Sequence, residues 1–215
     1  MKEFTTYSPA MLKTFEQCKK KFEYKYIKGI SIPVDTSKMQ QGKNIHAIAN
    51  YYLKNFNIDK LEKALTPHEK ELWNNLKNTK YFEYEVIDSE YNLTSKIDNY
   101  WISGRLDALV KNKNDYYILD YKTGRIPENP EYDYQTMIYL LMVDNLVKDY
   151  DSLHFVYVDL KENLTKEINF SKDLKIEYET RLVKILKEIE KSLKLNIFNP
   201  LKTNCNCEYS KLCHY

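Results

Sequence analysis

No stretch of this sequence approaches the ~20 consecutive apolar residues that a bilayer-spanning helix needs. Its opening residues, MKEFTTYSPA, lack the apolar core of a secretory leader. The expectation is an intracellular, cytoplasmic protein with no membrane partner. Excess charge is also missing: 33 Lys and Arg stand against 31 Asp and Glu, a net +2. That excludes a simple polycation, so any contact with a polyanion must come from a local basic face. Internal repeats, low-complexity linkers and a P-loop are absent as well. Cysteine is sparse at four residues. Inside a cell, where disulfides rarely persist, those thiols point to metal binding, catalysis or burial before bridges.

What is present suits one elaborated domain. The 215 residues are 43% hydrophobic and 30% charged, enough for a core beneath a solvated surface. Twenty tyrosines are many for this length. Most are read as strand and core filling, while the sharper use of a tyrosine is stacking on unpaired bases.

The chain opens on a helical pattern, SPAMLKTFEQCKKKFEYKYIKG, with Ser8 to cap it, Pro9 in its first turn and Gly29 to end it. Cys18 falls on or beside its buried stripe. A second helix is expected over QGKNIHAIANYYLKNF, and a third within IDKLEKALTPHEKELWNNLKN, broken or kinked at Pro67. The period then shortens from 3.6 to 2. EYEVIDSEYNL, DNYWISGRLDALVKN and DYYILDYKTG read as successive strands, with a hairpin turn at Asn112 to Asp115. YDYQTMIYLLMVDNLVKD returns to helix, LHFVYVDL is a short strand that TKEINF can pair with, and a long amphipathic helix starts at Ser171. The fold class is α/β, with a mixed, partly antiparallel sheet flanked by helices.

The chemistry concentrates in GRLDALVKNKNDYYILDYKTG. Asp120 and Lys122 are two apart on one strand, so their side chains leave the same face, and Asp107 can reach that face across the hairpin. Paired carboxylates make an oxygen-rich site for Mg²⁺ or Mn²⁺, to which the backbone carbonyl of Tyr121 could add a ligand. Lys122 stands where an attacking water or a phosphate oxygen must be held. Phosphodiester hydrolysis needs that combination of metal and cation. D-x-K is weak taken singly, but here the pair ends an apolar strand, where unpaired charge is expensive.

These residues resemble the PD-(D/E)XK nuclease superfamily, specifically its RecB-like branch, which includes CRISPR-associated exonucleases and AddB-type helicase–nucleases. GRLD with Asp107 is similar to the branch's G-x-x-D motif, and DYKTG with Asp120 and Lys122 to its D-x-K motif. GKNIH is similar to G-x-x-x-H, which implies His46 as a further metal ligand. QTMIY is similar to Q-x-x-x-Y, which implies that Gln135 and Tyr139 address the substrate or the site. Glu90 stands near the place where members often carry a glutamate before G-x-x-D, with Glu83 and Glu85 as competitors.

Iron–sulfur members of the branch use one N-terminal and three C-terminal cysteines. The resemblance therefore implies a [4Fe–4S] cluster on Cys18, Cys205, Cys207 and Cys213, joining the N- and C-terminal segments at a cysteine metal site. Cys205 and Cys207 depart from the family's C-x-x-C, and that tighter spacing keeps Zn²⁺, or a set in which His214 replaces a cysteine, as the alternative.

The resemblance implies a restriction-endonuclease-like domain over 1–215, with a helical part (1–80), a catalytic sheet core (81–170) and a closing helix with cysteine tail (171–215). It implies a metal-dependent DNA exonuclease acting on single strands or DNA ends, in recombination, repair or CRISPR adaptation, with a helicase or an adaptation protein as partner. A structure-specific endonuclease, and a DNA-binding accessory subunit with a vestigial site, are the competing readings. Lys13, Lys19, Lys20, Lys21 and Lys25 could line a DNA path, although a solvated helix face is the simpler account of each.

Overall fold

The computed structural model describes residues 4–33, 37–200 and 207–213. Cys205 and His214 lie outside the described residues. Helix α1 (Pro9–Gln17) starts where Ser8 accepts a hydrogen bond from the Met11 amide, with Pro9 at a position that needs no donor. The single long helix expected here is two pieces. Cys18 takes an extended conformation (φ −164°, ψ 113°), ends α1, and caps α2 (Lys19–Phe22) by accepting from the Lys21 amide at 3.4 Å. A side chain that satisfies the next helix's free N–H makes this break affordable. The chain then continues as a π-helical turn over Glu23–Ile27.

Helix α3 (Ser37–Leu53) is followed by α4 (Asp59–Ala64) and α5 (Pro67–Lys77). The break expected at Pro67 falls between the last two. Thr66 and Glu69 form a capping box there, and Pro67 occupies the first turn.

Five strands follow in spatial order β1 (Glu85–Ile97), β2 (Tyr100–Asn112), β3 (Asp115–Lys122), β4 (Ser152–Asp159) and β5 (Leu164–Asn169). All neighbours are antiparallel except β3 and β4, which α6 (Tyr134–Leu146) connects as a crossover. The β2–β3 hairpin closes at Asn112 opposite Asp115, with Lys113 at φ 56°. Helix α7 (Lys172–Leu195) begins at a Ser171 cap and ends at Asn196 in the left-handed region.

The sheet has a core on each face. One gathers Leu12, Phe15, Ile118, Ile138, Leu141, Phe155 and Leu182 beneath α1, α6 and α7. The other joins Ile45, Ile48, Trp73 and Leu76 of α3 and α5 to Tyr117, Leu119, Val156 and Val158. Alternation along β3 sends Tyr117, Leu119 and Tyr121 to the α3 side and Ile118 to the α6 side. The mixed five-stranded sheet with flanking helices is consistent with a restriction-endonuclease-like fold. Among the described residues, no helix is long and apolar enough to cross a membrane.

Candidate active site

Strands β2 and β3 stay paired from Asn112↔Asp115 to Ala108↔Leu119 and no further. Where the ladder ends, a side chain takes over: Asp107 Oδ2 accepts from the Tyr121 amide at 2.7 Å. A buried amide must find an acceptor, so the splayed strands hold the carboxylate in place. Helix α3 supplies the third wall. His46 Nδ1 lies 3.1 Å from Asp107 Oδ1 and 3.8 Å from Glu90 Oε1, while Nε2 is 3.2 Å from the Tyr121 carbonyl. Gly42, one turn earlier, lets α3 approach the loop after β3: a Cβ there would sit 3.3 Å from Thr123 Oγ1.

Of the three glutamates in contention, Glu90 reaches the site. Glu83 and Glu85 are exposed, and Glu85 pairs instead with Lys111. Glu90 lies across the β1–β2 register from Asp107, between the pairs Ser89↔Ala108 and Tyr91↔Leu106. Its φ of 52° is a left-handed conformation that a non-glycine residue adopts at a cost. Arg105 completes this side with an ion pair from Nε to Glu90 Oε2 at 2.9 Å. Sequence reasoning passed over Arg105, although it stands inside GRLD.

Asp120 and Lys122 share a face, as their spacing requires. Lys122 Nζ lies 2.7 Å from Asp120 Oδ2, and Gln135 of α6 joins both, donating to Asp120 Oδ1 and accepting from Lys122 at 3.2 Å. Despite the close ammonium, Asp120 Oδ2 is off the line of any directional hydrogen bond. Asp120 is buried. Burial and the charge of Asp107 push its carboxyl up to about 7, against the pull of Lys122 and His46. Burial works to lower the His46 pKa, but the hydrogen bond and charge of Asp107, with Asp120 and Glu90 behind, outweigh it and raise it.

Tyr139, expected to address the substrate or the site, packs against β2. It is buried, its hydroxyl accepts from the Arg105 amide at 3.3 Å, and its ring crosses Gly104 so closely that a Cβ there would lie 2.4 Å from Cε1. It supports β2. Four of the five lysines near the first helices have carboxylate partners: Lys13 with Asp133, Lys19 with Glu188, Lys20 with Glu23 and Lys21 with Glu208.

His46, Glu90 and Asp107 each offer a ligand atom within 4.8 Å of the others, the one such group among the described residues. All three are partly exposed, which leaves room for water and a substrate oxygen. An imidazole, two carboxylates and the nearby Tyr121 carbonyl fit a divalent cation of the Mg²⁺ or Mn²⁺ kind. Asp120 itself is turned toward Lys122 and Gln135, outside that group.

A family model of the PD-(D/E)XK nuclease superfamily matches residues 6–84 and 58–214. The chain belongs to that superfamily. The carboxylates and the lysine accordingly occupy a fold whose superfamily members use divalent metals. Among solved structures, a Eubacterium rectale protein described as a candidate exonuclease superposes with TM-score 0.59 at 14% identity, covering 94% of this chain and 86% of that one. At that identity the likeness is one of fold. A second, SSO0001, aligns at TM-score 0.48 and 17% identity over 99% of this chain and 87% of its own, too loosely to argue from. No curated protein matches significantly.

The tail's described residues return to the first helices. Tyr24 donates from its hydroxyl to the Leu212 carbonyl at 2.7 Å, Tyr209 donates to the Ile30 carbonyl at 2.8 Å, and the two rings stack at 5.7 Å. Cys18 is buried, and Cys213 lies close enough to Tyr24 to act on its hydroxyl. Cys18, Cys207 and Cys213 do not form a three-ligand group of the kind found around His46 among the described residues.

Proposed function

We propose that this chain is a Mg²⁺- or Mn²⁺-dependent DNA exonuclease acting on single strands or DNA ends. The observation that carries the proposal is the pairing of Lys122 with Asp120 under one glutamine, beside the His46–Glu90–Asp107 group. Bound there, the cation supplies charge stabilisation at the phosphate and a lowered pKa for water. His46, Glu90, Asp107 and the Tyr121 carbonyl are the groups that would hold it, with Asp120 able to join by turning a carboxylate oxygen away from Lys122.

Lys122 then holds the attacking water or the scissile phosphate oxygen. Its ammonium lies 5.6 Å above the Tyr157 ring, so it is steered from one side by an aromatic face and from the other by Asp120. Gln135 fixes the relative position of Asp120 and Lys122. Tyr139 acts at one remove, by seating Gly104 and Arg105.

A single nuclease domain over 1–215 in an intracellular setting, with DNA as substrate and a helicase or CRISPR-adaptation protein as partner, belongs to the same proposal. So does a [4Fe–4S] cluster on Cys18, Cys205, Cys207 and Cys213, with Zn²⁺ as the alternative. The return of Tyr209 and Leu212 to Tyr24 and Ile30 supports the clasp such a group would complete. Incubation with end-labelled single-stranded and duplex DNA in Mg²⁺, Mn²⁺ or EDTA tests the activity. Mononucleotide release with either metal and none in EDTA is expected, and intact DNA in every condition would refute it.

A further inference from the structure

Beside His46 a groove of about 840 Å³ runs between α3 and the β1–β2 edge. It shares His46 and Glu90 with the candidate metal group, so whatever lies in it is continuous with the reacting position. Lys43, Ala47 and Tyr51 line it from α3, each four residues from the next and therefore in one stripe. Arg105 lines it from β2.

Cations flank an otherwise acidic place. A polyanion approaching Glu90 and Asp107 alone would be repelled. Arg105 offsets this from a side chain 62% exposed, held by Nε on Glu90, with the rest of its guanidinium available for a phosphate. Lys43, exposed on the facing wall, has no carboxylate partner among the described residues. Between them the small side chain of Ala47 leaves the floor open.

The far end is aromatic. Tyr51 is 45% exposed, yet its ring is fixed edge-on against Phe56 at 5.7 Å. The backbone holds that partner too, since the Phe56 amide donates to the Tyr51 carbonyl at 2.9 Å around Asn55 at φ 58°. An exposed aromatic ring that is already ordered binds a flat ligand with little entropy left to lose. A base inside a duplex has no free face to give it, whereas an unpaired base does.

We propose that this groove is a subsite for single-stranded nucleic acid, in which Tyr51 stacks one base while Lys43 and Arg105 hold the adjoining phosphates. The proposal deepens the nuclease reading and rests on it for the direction in which the strand runs, toward His46 and Asp107.

The test is fluorescence anisotropy of a fluorescein-labelled oligothymidylate, and of a duplex of equal length, with the full chain in EDTA and again in Ca²⁺. Tyr51→Ala should weaken oligothymidylate binding about tenfold, leave the duplex within about twofold, and be rescued by Tyr51→Trp. Lys43→Gln should reduce the slope of log affinity against log salt by about 0.7. Cleavage of the same oligothymidylate in Mn²⁺ by the parent is scored separately. Binding that responds to Tyr51→Ala without cleavage would reject the nuclease reading and uphold the groove. Cleavage with binding indifferent to Tyr51→Ala would reject the groove alone. Equal losses on single strand and duplex, or no oligothymidylate binding by the parent in either condition, would also overturn it.

Discussion

Gln135 joins Asp120 to Lys122, giving an N–H to the carboxylate and taking one from the ammonium. The amide serves both because one end donates and the other accepts. Gln135→Ala should therefore lower cleavage about 10- to 100-fold, the usual penalty for losing the support of a site group. Gln135→Glu should not rescue it, since a second carboxylate beside Asp120 repels. Turnover in Mn²⁺ together with the thermal midpoint checks this; full activity in Gln135→Ala would refute the positioning role.

Lys122→Ala and Asp107→Ala should each reduce turnover by about 10²-fold or more, the scale for removing one group that stabilises developing charge. They differ in the metal titration. Asp107→Ala should shift the Mn²⁺ dependence to higher concentration, whereas Lys122→Ala should leave its midpoint close to the parent's. Reversed behaviour would mean that the two roles have been exchanged.

Protons compete for the same site. In the metal-free protein, burial and Asp107 raise Asp120 to about 7, and the surrounding carboxylates raise His46. Both groups bind protons more tightly folded than unfolded, so the stability they contribute is present at lower pH and declines as pH rises toward and through 7. A metal ligand must be deprotonated, so Mn²⁺ affinity runs the other way and grows with pH. The rise in melting temperature on adding Mn²⁺ should thus be larger at about pH 8 than at about pH 6. An equal rise at both would argue against His46 and Asp120 as the titrating groups.

Gly104→Ala puts a methyl 2.4 Å from the Tyr139 ring. The single substitution should cost about 1–3 kcal/mol, the range for overpacking a filled core. With Tyr139→Ala the clash disappears, so the double variant should be more stable than the sum of the two single losses implies. Urea unfolding of the four proteins measures this coupling, and strict additivity would show that the contact carries no strain.

If the tail closes on the first helix through a cluster, protein prepared without oxygen should be brown and hold about four irons per chain. Cys18→Ala should bleach it as fully as Cys213→Ala. It should also lower the melting temperature, because Cys18 caps α2 as well. Colourless protein with stoichiometric zinc would keep the clasp and refute the cluster; full iron content in Cys18→Ala would refute the ligand set.

The β2–β3 hairpin, the break before Pro67 and the Asp120–Lys122 pair were legible in the sequence. Each follows from local rules: a two-residue period, a turn-forming tetrapeptide, a proline without a donor, and side chains two apart on a strand. Other features depended on what the chain meets across space. Glu83 and Glu85 compete with Glu90 in the sequence, and the β1–β2 register brings Glu90 opposite Asp107. Cys18 fits a continuous helical stripe, yet its thiol accepts from Lys21 and the helix divides there. Tyr139 reads as a side chain for the substrate or the site, and packing between α6 and β2 sets its ring over Gly104. Local pattern fixes which elements form and which way their side chains face. Which side chains then meet is decided by register and by packing between elements distant in the chain, and in this protein those contacts set the site's ligands and supports.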